Sequence, residues 1–412
     1  MLNFISYSHN KLVFNYELYV GEQLQIDFQT NYNDELYNIN KGCLTISNPD
    51  SLLFPYIKIS LKNKETLVGI RTWLIGKYQL VKLYSVKERP LYCDESIYVY
   101  WKKGFLYKRV KGEKIKLCSY SLDDMMYSDM EIYHNVVALR SGGTLKISSD
   151  LLHWKQIYQG KRGIKNSMCF YGTEEDLSLI FIEYTPGKER VRHKILRYSF
   201  GNDKLEVLFE FYTEDEFLKK NLSPCARHIH VIMKDPYTDD LYVGTGDTDL
   251  ESGIYRSTDG GKTFQILFSG KQNYRALNFI FTQNAIFWNT DTHESQALFR
   301  LFRKDLKIKK VTRFPLINGA LWCSIKYPVK IDGDEFYIMS SNSEGALFDN
   351  YNRVYGIKIR DDVPTFYELL RRRSRTCYSQ QFILGLNDRK EIFLYDHEIG
   401  KMNAYRLSGK EL

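Results

Sequence analysis

His228 and His230 stand two residues apart in the run His-Ile-His-Val-Ile-Met-Lys, whose alternation reads as a strand, so both imidazoles project from one face. Two groups that titrate near neutrality on one face suit either proton transfer or metal ligation. Tyr274 and Arg275 follow downstream, and Glu183 and Tyr184 precede them. Arg can hold a carboxylate, His can take the proton beside it, and Tyr can protonate a leaving oxygen, which together are the needs of an elimination. His228, His230, Tyr274, Arg275 and Glu183 are therefore the catalytic candidates. Hydrolysis of a glycosidic bond would instead need two carboxyl groups about 5 to 9 Å apart, which Glu183 with Asp247, Asp249 or Asp291 could supply. Tyr184, Asp247, Asp249, Trp288, Asp291 and Trp322 are candidates for holding a substrate, the rings by stacking on its faces. A divalent metal could take His228 and His230 as two of its ligands. Cys225 completes a C-x2-H-x-H string that lacks the second ligand pair of a structural zinc site. The plainer roles are turn caps for Asp249 and Asp291 and core packing for the two Trp.

Strands must position these residues. Short alternating or apolar runs, separated by Gly, Asn and Asp, recur along the whole chain, the pattern of β structure. With aromatics at 15%, dominated by 32 Tyr and 24 Phe, the composition favours pleated surfaces. A helix is expected over VPTFYELLRRR, with lesser helical signals near Asp123 and Asp215.

The runs group into units of roughly fifty residues, the period of a propeller blade. HIHVIMKDP, DLYVGTGD, GIYRSTD and TFQILFSG read as four successive antiparallel strands, and the next unit repeats that grammar from Tyr274. The last unit supplies three strands, QFILGLND, EIFLYDHE and MNAYRLS. The reading is all-β, a single closed β-propeller over residues 1–412 of seven four-stranded blades, with KLVFNYEL near the amino terminus completing the last blade. Closure removes exposed strand edges. In such a ring the starts of successive inner strands converge on one mouth. That geometry gathers His228 and His230, then Tyr274 and Arg275, then Asn318 and Trp322, then Tyr378 and Gln380. Glu183, Tyr184, Asp247 and Asp249 reach the rim from second strands. The run from Arg371 to Arg375 is expected at a solvated helix end, or else as positive charge at the mouth.

The amino-terminal residues lack a basic segment followed by an apolar run, and no uncharged apolar run approaches twenty residues, which argues against a secretion signal and a membrane span. Seven Cys at irregular spacing, without CxxC, fit a reducing compartment, and the cytoplasm is expected. Lys and Arg exceed Asp and Glu by 58 to 50. These basic residues read as scattered over many strands, without a nucleic-acid-binding motif, so nucleic acid is not the expected partner.

Ser257-Thr258-Asp259-Gly260-Gly261-Lys262-Thr263-Phe264 matches the Asp-box pattern S-x-D-x-G-x-T-W with Phe for Trp, and Ser148 to Trp154 is a shortened copy. The chain thus resembles the Asp-box (BNR-repeat) β-propellers, sialidase-like proteins among them. The resemblance implies a peripheral structural turn, with no catalytic role for Asp150 or Asp259. The sialidase arginine triad has no residue-by-residue counterpart here, so the resemblance bears on fold and on carbohydrate as the substrate class. His-x-His followed by Gln272 is similar to the metal-ligand set of oligogalacturonate lyases, and His with Tyr274 and Arg275 is similar to the sites of ulvan-type propeller lyases. The expectation is an enzyme that cleaves an acidic oligo- or polysaccharide, with elimination placed ahead of hydrolysis. The rival is a non-catalytic propeller that binds a glycan or a protein.

Overall fold

The computed structural model describes the strands between residues 2 and 69 through their backbone pairing. It describes residues 78–409 in side-chain detail except 125, 186–190, 292–297, 310–325, 327, 331–333, 342–351, 366 and 374–381. Seven antiparallel sheets take residues 88–119, 129–159, 168–211, 228–269, 276–313, 321–373 and 381–409, here blades 1 to 7. Blade 6 carries a fifth short strand, Val329–Ile331. The first strand of each blade neighbours the first strands of the blades on either side, and Gln381–Leu386 of blade 7 meets Glu88–Cys93 of blade 1, which completes the ring.

The strand that completes blade 7 is Tyr78–Val86, paired with Lys401–Gly409. This corrects the expectation for KLVFNYEL: Lys11–Glu17 pairs with Leu2–Ser8 and Lys41–Ser47, in a three-stranded sheet outside the blades. A further sheet of four strands lies between Leu24 and Gly69. The seven blades therefore draw on residues 78–409 and not on the whole chain. The reason is local: Leu2–Ser8 and Lys11–Glu17 form a tight hairpin with each other, and a hairpin partner that close in sequence is cheaper to reach than a strand at the far end of the chain.

VPTFYELLRRR is a strand, Val363–Arg373, paired along its length with Tyr351–Arg360. Leu369 and Tyr367 pack into the core between blades 6 and 7, so period-two burial overrides the helical propensity of Glu-Leu-Leu-Arg. The helix near Asp215 is present as Glu214–Lys220, with Thr213 and Glu216 forming a capping box. Around Asp123 the chain makes bends and no helix. Among the described residues no helix is long and apolar enough to cross a membrane.

Apolar clusters fill the spaces between neighbouring blades, as with Val231, Ile254, Phe279 and Trp288 between blades 4 and 5. Buried arginines add directional links. Arg89 donates to the carbonyls of Leu384 in blade 7 (2.8 Å) and Ser128 at the start of blade 2 (2.9 Å), and Arg140 in blade 2 donates to Ile182 of blade 3 (2.7 Å). Burial lowers the pKa of Arg140 to about 10, which leaves it charged at neutral pH.

The turns at Asp259 and Asp150 are built alike. Asp259 Oδ1 accepts from the Thr263 amide (2.9 Å) and Asp150 Oδ1 from the amides of Leu152 and His153 (2.8 Å each). Positive φ falls to Gly260 and Gly261 in one and to Leu151 in the other. Phe264 packs on Phe209, and Trp154 on Tyr120. Each turn joins the third and fourth strands of its blade, and antiparallel pairing puts that turn at the end opposite the start of the inner strand. Asp259→Ala should accordingly lower stability by about 1 to 2 kcal/mol, the scale of a lost capping side chain. A urea melt measures this, and ligand binding at the mouth should be unchanged.

Candidate functional site

Blade 4 contributes most of the mouth. Its inner strand His228–Lys234 pairs with Leu241–Gly246 through a bulge at His230, which has no cross-strand partner. The bulge re-aims His230, and both imidazoles point at one carboxylate: Nε2 of His228 is 3.2 Å and Nε2 of His230 is 3.6 Å from Asp247. Asp247 begins a braced loop in which the Thr248 amide and hydroxyl donate to Glu251 and the Thr245 hydroxyl donates to the Glu251 carbonyl.

Blade 5 supplies Arg275 at the entry to Ala276–Phe281 and Asp291 after Ala285–Thr290. One Arg275 nitrogen, Nη2, lies 2.9 Å from Asp247 and 2.7 Å from Asp291. Its Nη1 donates to the Asp247 carbonyl at 3.1 Å. Arg227 stands 3.5 Å from the same Asp247. From blade 3, the Tyr184 ring stacks on His228 with centroids 5.0 Å apart. Burial pushes the Tyr184 phenol to about 12, so it stays protonated at physiological pH.

Glycine makes this closeness feasible. A Cβ on Gly246 would fall 2.5 Å from Arg275 Cγ and 2.8 Å from His230 Cε1, and one on Gly244 would fall 2.7 Å from the Ala276 carbonyl. The alternation Gly-Thr-Gly thus lets the inner strand of blade 5 lie against the second strand of blade 4. Gly246→Ala should drive Arg275 and His230 apart. Chemical shifts of the two imidazoles, followed by NMR, would report it.

Burial tends to raise the Asp247 pKa, but hydrogen bonds from His228 and His230 together with their charge prevail and hold the carboxyl far below its ordinary range. His193, fully buried 6.0 Å from His228, is driven down to about 4, first by burial and then by His228. Its folded pKa lies below the unfolded value of about 6.5, so the unfolded chain binds the extra proton. Stability from this group is full above about pH 6.5 and is lost as the pH falls towards about 4. Asp247 loses its contribution only below that window. His193→Gln should flatten the stability profile between pH 4 and 6.5, read from urea melts at each pH; an unchanged slope would place its origin elsewhere.

The other sequence candidates have different surroundings. Tyr274 stacks on Phe268 in the apolar cluster between blades 4 and 5, 5.4 Å between centroids, and does not join the imidazoles. Trp288 is fully buried against Phe299, its indole donating to the Asn273 carbonyl (2.8 Å), so no ring face is open to a sugar. Asp249 accepts from the Gln272 amide (3.0 Å) as a loop cap. Glu183 accepts from the Tyr158 hydroxyl (2.8 Å). Asn318, Tyr378, Gln380 and the side chain of Trp322 lie outside the described residues. Sequence reasoning passed over Arg227, His193 and Gly246; the glycine alternation beside Asp247 was the available signal.

Of the residues expected to hold a metal, His228 and His230 face Asp247, and the Gln272 side chain donates to the Asp247 carbonyl (3.0 Å). His230, Asp247 and Asp291 do converge, with one ligand atom from each lying within 4.8 Å of the others. Between the two carboxylates sits the Arg275 guanidinium, so the cation these acids need is already part of the chain. The residues therefore do not fit a metal with Arg275 in place.

No family model matches the chain, and no curated protein does. Solved structures do. An oligogalacturonate lyase from Vibrio parahaemolyticus is 11% identical, with 81% of this chain and 92% of that one covered at a TM-score of 0.45. An auxiliary nutrient binding protein from Bacteroides thetaiotaomicron is 10% identical, with 96% and 94% covered at 0.44. A computationally designed protein is 10% identical, with 80% and 99% covered at 0.41. The seven-bladed propeller itself is established by the pairing of the strands.

Proposed function

We propose that this mouth binds the carboxylate of an acidic carbohydrate and that β-elimination is the reaction it is built for. The observation that carries the reading is Asp247, which faces both imidazoles and Arg275 at once. An acceptor opposite Nε2 fixes the proton there and leaves Nδ1 as the basic nitrogen, the logic by which a carboxylate orients a catalytic His. In the proposed step Nδ1 of His228 or His230 removes the proton beside the substrate carboxylate, whose developing negative charge Arg275 and Arg227 stabilise. The electron pair left behind forms the carbon–carbon double bond, the bond to the leaving oxygen breaks, and Tyr184 protonates that oxygen.

Hydrolysis fits less well. It needs one carboxyl held protonated, whereas Asp247 is strongly ionised and Asp291 is bound to Arg275. A second reading, binding without turnover, draws support from the burial of Nδ1 in both His228 and His230. The likeness of the two capped turns supports a place among Asp-box propellers. The unpaired thiols of Cys93, Cys118, Cys169 and Cys225 support a reducing compartment such as the cytoplasm.

Acidic oligosaccharides incubated with the protein separate the readings. Elimination yields an unsaturated uronate that absorbs in the ultraviolet, hydrolysis yields a reducing end without that absorbance, and a binding protein yields neither. Added chelator should leave the rate unchanged, since Arg275 takes the cation's place.

A further inference from the structure

The outer hairpin of blade 1 carries a dense run of positive charge, in which Arg109 is paired with Asp388 of blade 7 and Lys102 with Glu88. Between residues 102 and 119 stand Lys102, Lys103, Lys108, Arg109, Lys111, Lys114 and Lys116 against the single acid Glu113, which accounts for six of the net eight positive charges. The basic residues are therefore not evenly scattered. Lys103, Lys111, Lys114 and Lys116 are exposed. Cross-strand register pairs Arg109 with Lys114 and Tyr107 with Lys116, next to Tyr98 and Tyr100 on the same face. Lys116 Nζ stands 3.5 Å from the centre of the Phe105 ring, Lys114 Nζ stands 4.6 Å from that of Tyr107, and Arg109 lies over Tyr98 and Tyr100. Aromatic rings beneath cations hold them in a fixed array.

Protection of a sheet edge is the plain explanation for lysines on an outer strand. Edge protection does not require cations on every blade, because the outer strand of blade 4, Gln265–Ser269, carries no charge and that of blade 2, Lys155–Gln159, carries one, while that of blade 5, Ile308–Arg313, carries three. We propose that the outer hairpin of blade 1 is a docking surface for an acidic polysaccharide. For the chemistry of the ligand this rests on the reading of the mouth above. Lys102 pairs with Glu88 at the start of the inner strand, which puts the Lys102–Lys103 turn at the end of the blade where inner strands begin. The cations of the hairpin run from that turn to the one at Lys111, at the opposite end of the blade, so that a long chain docked along them reaches the side that bears the mouth. Carboxylated polysaccharide is favoured over single-stranded nucleic acid because Tyr98 and Tyr100 are buried and cannot stack on bases.

The test uses polygalacturonate, neutral dextran and single-stranded DNA as probes, with binding to the full chain measured at several salt concentrations. A variant carrying Lys103→Gln, Lys108→Gln, Lys111→Gln, Lys114→Gln and Lys116→Gln should keep the parent melting temperature and bind polygalacturonate at least tenfold more weakly, with a shallower salt dependence. Arg275→Ala should weaken polymer binding less than the Gln variant does, since the hairpin is intact and only the mouth's hold on one carboxylate is lost. Equal polymer affinity in the Gln variant and the parent overturns the docking surface, as does tighter binding of DNA than of polygalacturonate. Loss of polymer binding in Arg275→Ala alone also overturns the surface while supporting the mouth. Polymer binding lost only in the Gln variant, with no product from short acidic oligosaccharides, keeps the surface and removes the elimination reading.

Discussion

Asp247→Asn is expected to lower kcat/KM on an acidic oligosaccharide by at least about a hundredfold, the scale of losing the carboxylate that orients a catalytic His. The side chain keeps its size but no longer presents two anionic acceptors. An amide can donate towards an imidazole nitrogen, which sets His228 or His230 in the other tautomer, and Arg275 is left with Asp291 as its remaining carboxylate. Removing one partner of a largely buried ionic network also costs stability, of the order of 3 kcal/mol. Steady-state kinetics and urea melts on the same variant separate the two effects. Normal turnover in a destabilised variant would make the network structural and end the catalytic role assigned to it. Asp259→Ala is the control, since its turn lies at the other end of blade 4.

The second large effect concerns closure of the ring. A chain that begins at Tyr78 retains every strand of the seven blades, whereas one that begins at Lys87 lacks Tyr78–Val86 and leaves Lys401–Gly409 as an unpaired edge. The first is expected to melt in one cooperative transition and elute as a monodisperse species. The second should lose cooperativity and aggregate, because Leu80 and its neighbours in the core between blades 6 and 7 are removed along with the edge pairing. Size-exclusion chromatography and calorimetry compare them. A cooperative, monodisperse chain lacking residues 78–86 would show that the ring does not depend on that strand.

Much of the architecture is written in local pattern. Alternating apolar residues and the spacing of turn residues mark the four strands from His228 to Ser269, because period-two burial and hairpin turns are properties of short segments. The same regularity marks Asp247 and Asp291 at the ends of second strands, one blade apart. Val363–Arg373 carries a helical pattern yet is a strand, because its strand state comes from pairing with Tyr351–Arg360 and from packing against blade 7, neither of which its own residues reveal.

The sequence by itself determined that this chain is built of repeating four-stranded units and that histidine, arginine and acidic side chains stand where inner strands begin. Tertiary structure alone decided which of them meet. Asp247 rather than Gln272 faces the imidazoles, Tyr184 rather than Tyr274 stacks on His228, and Trp288 is sealed in the core. These outcomes depend on how closely one blade approaches the next. The contacts that set that distance, such as the absence of a Cβ on Gly244 and Gly246 opposite Ala276 and Arg275, join residues about thirty positions apart, beyond the reach of any periodicity within one strand.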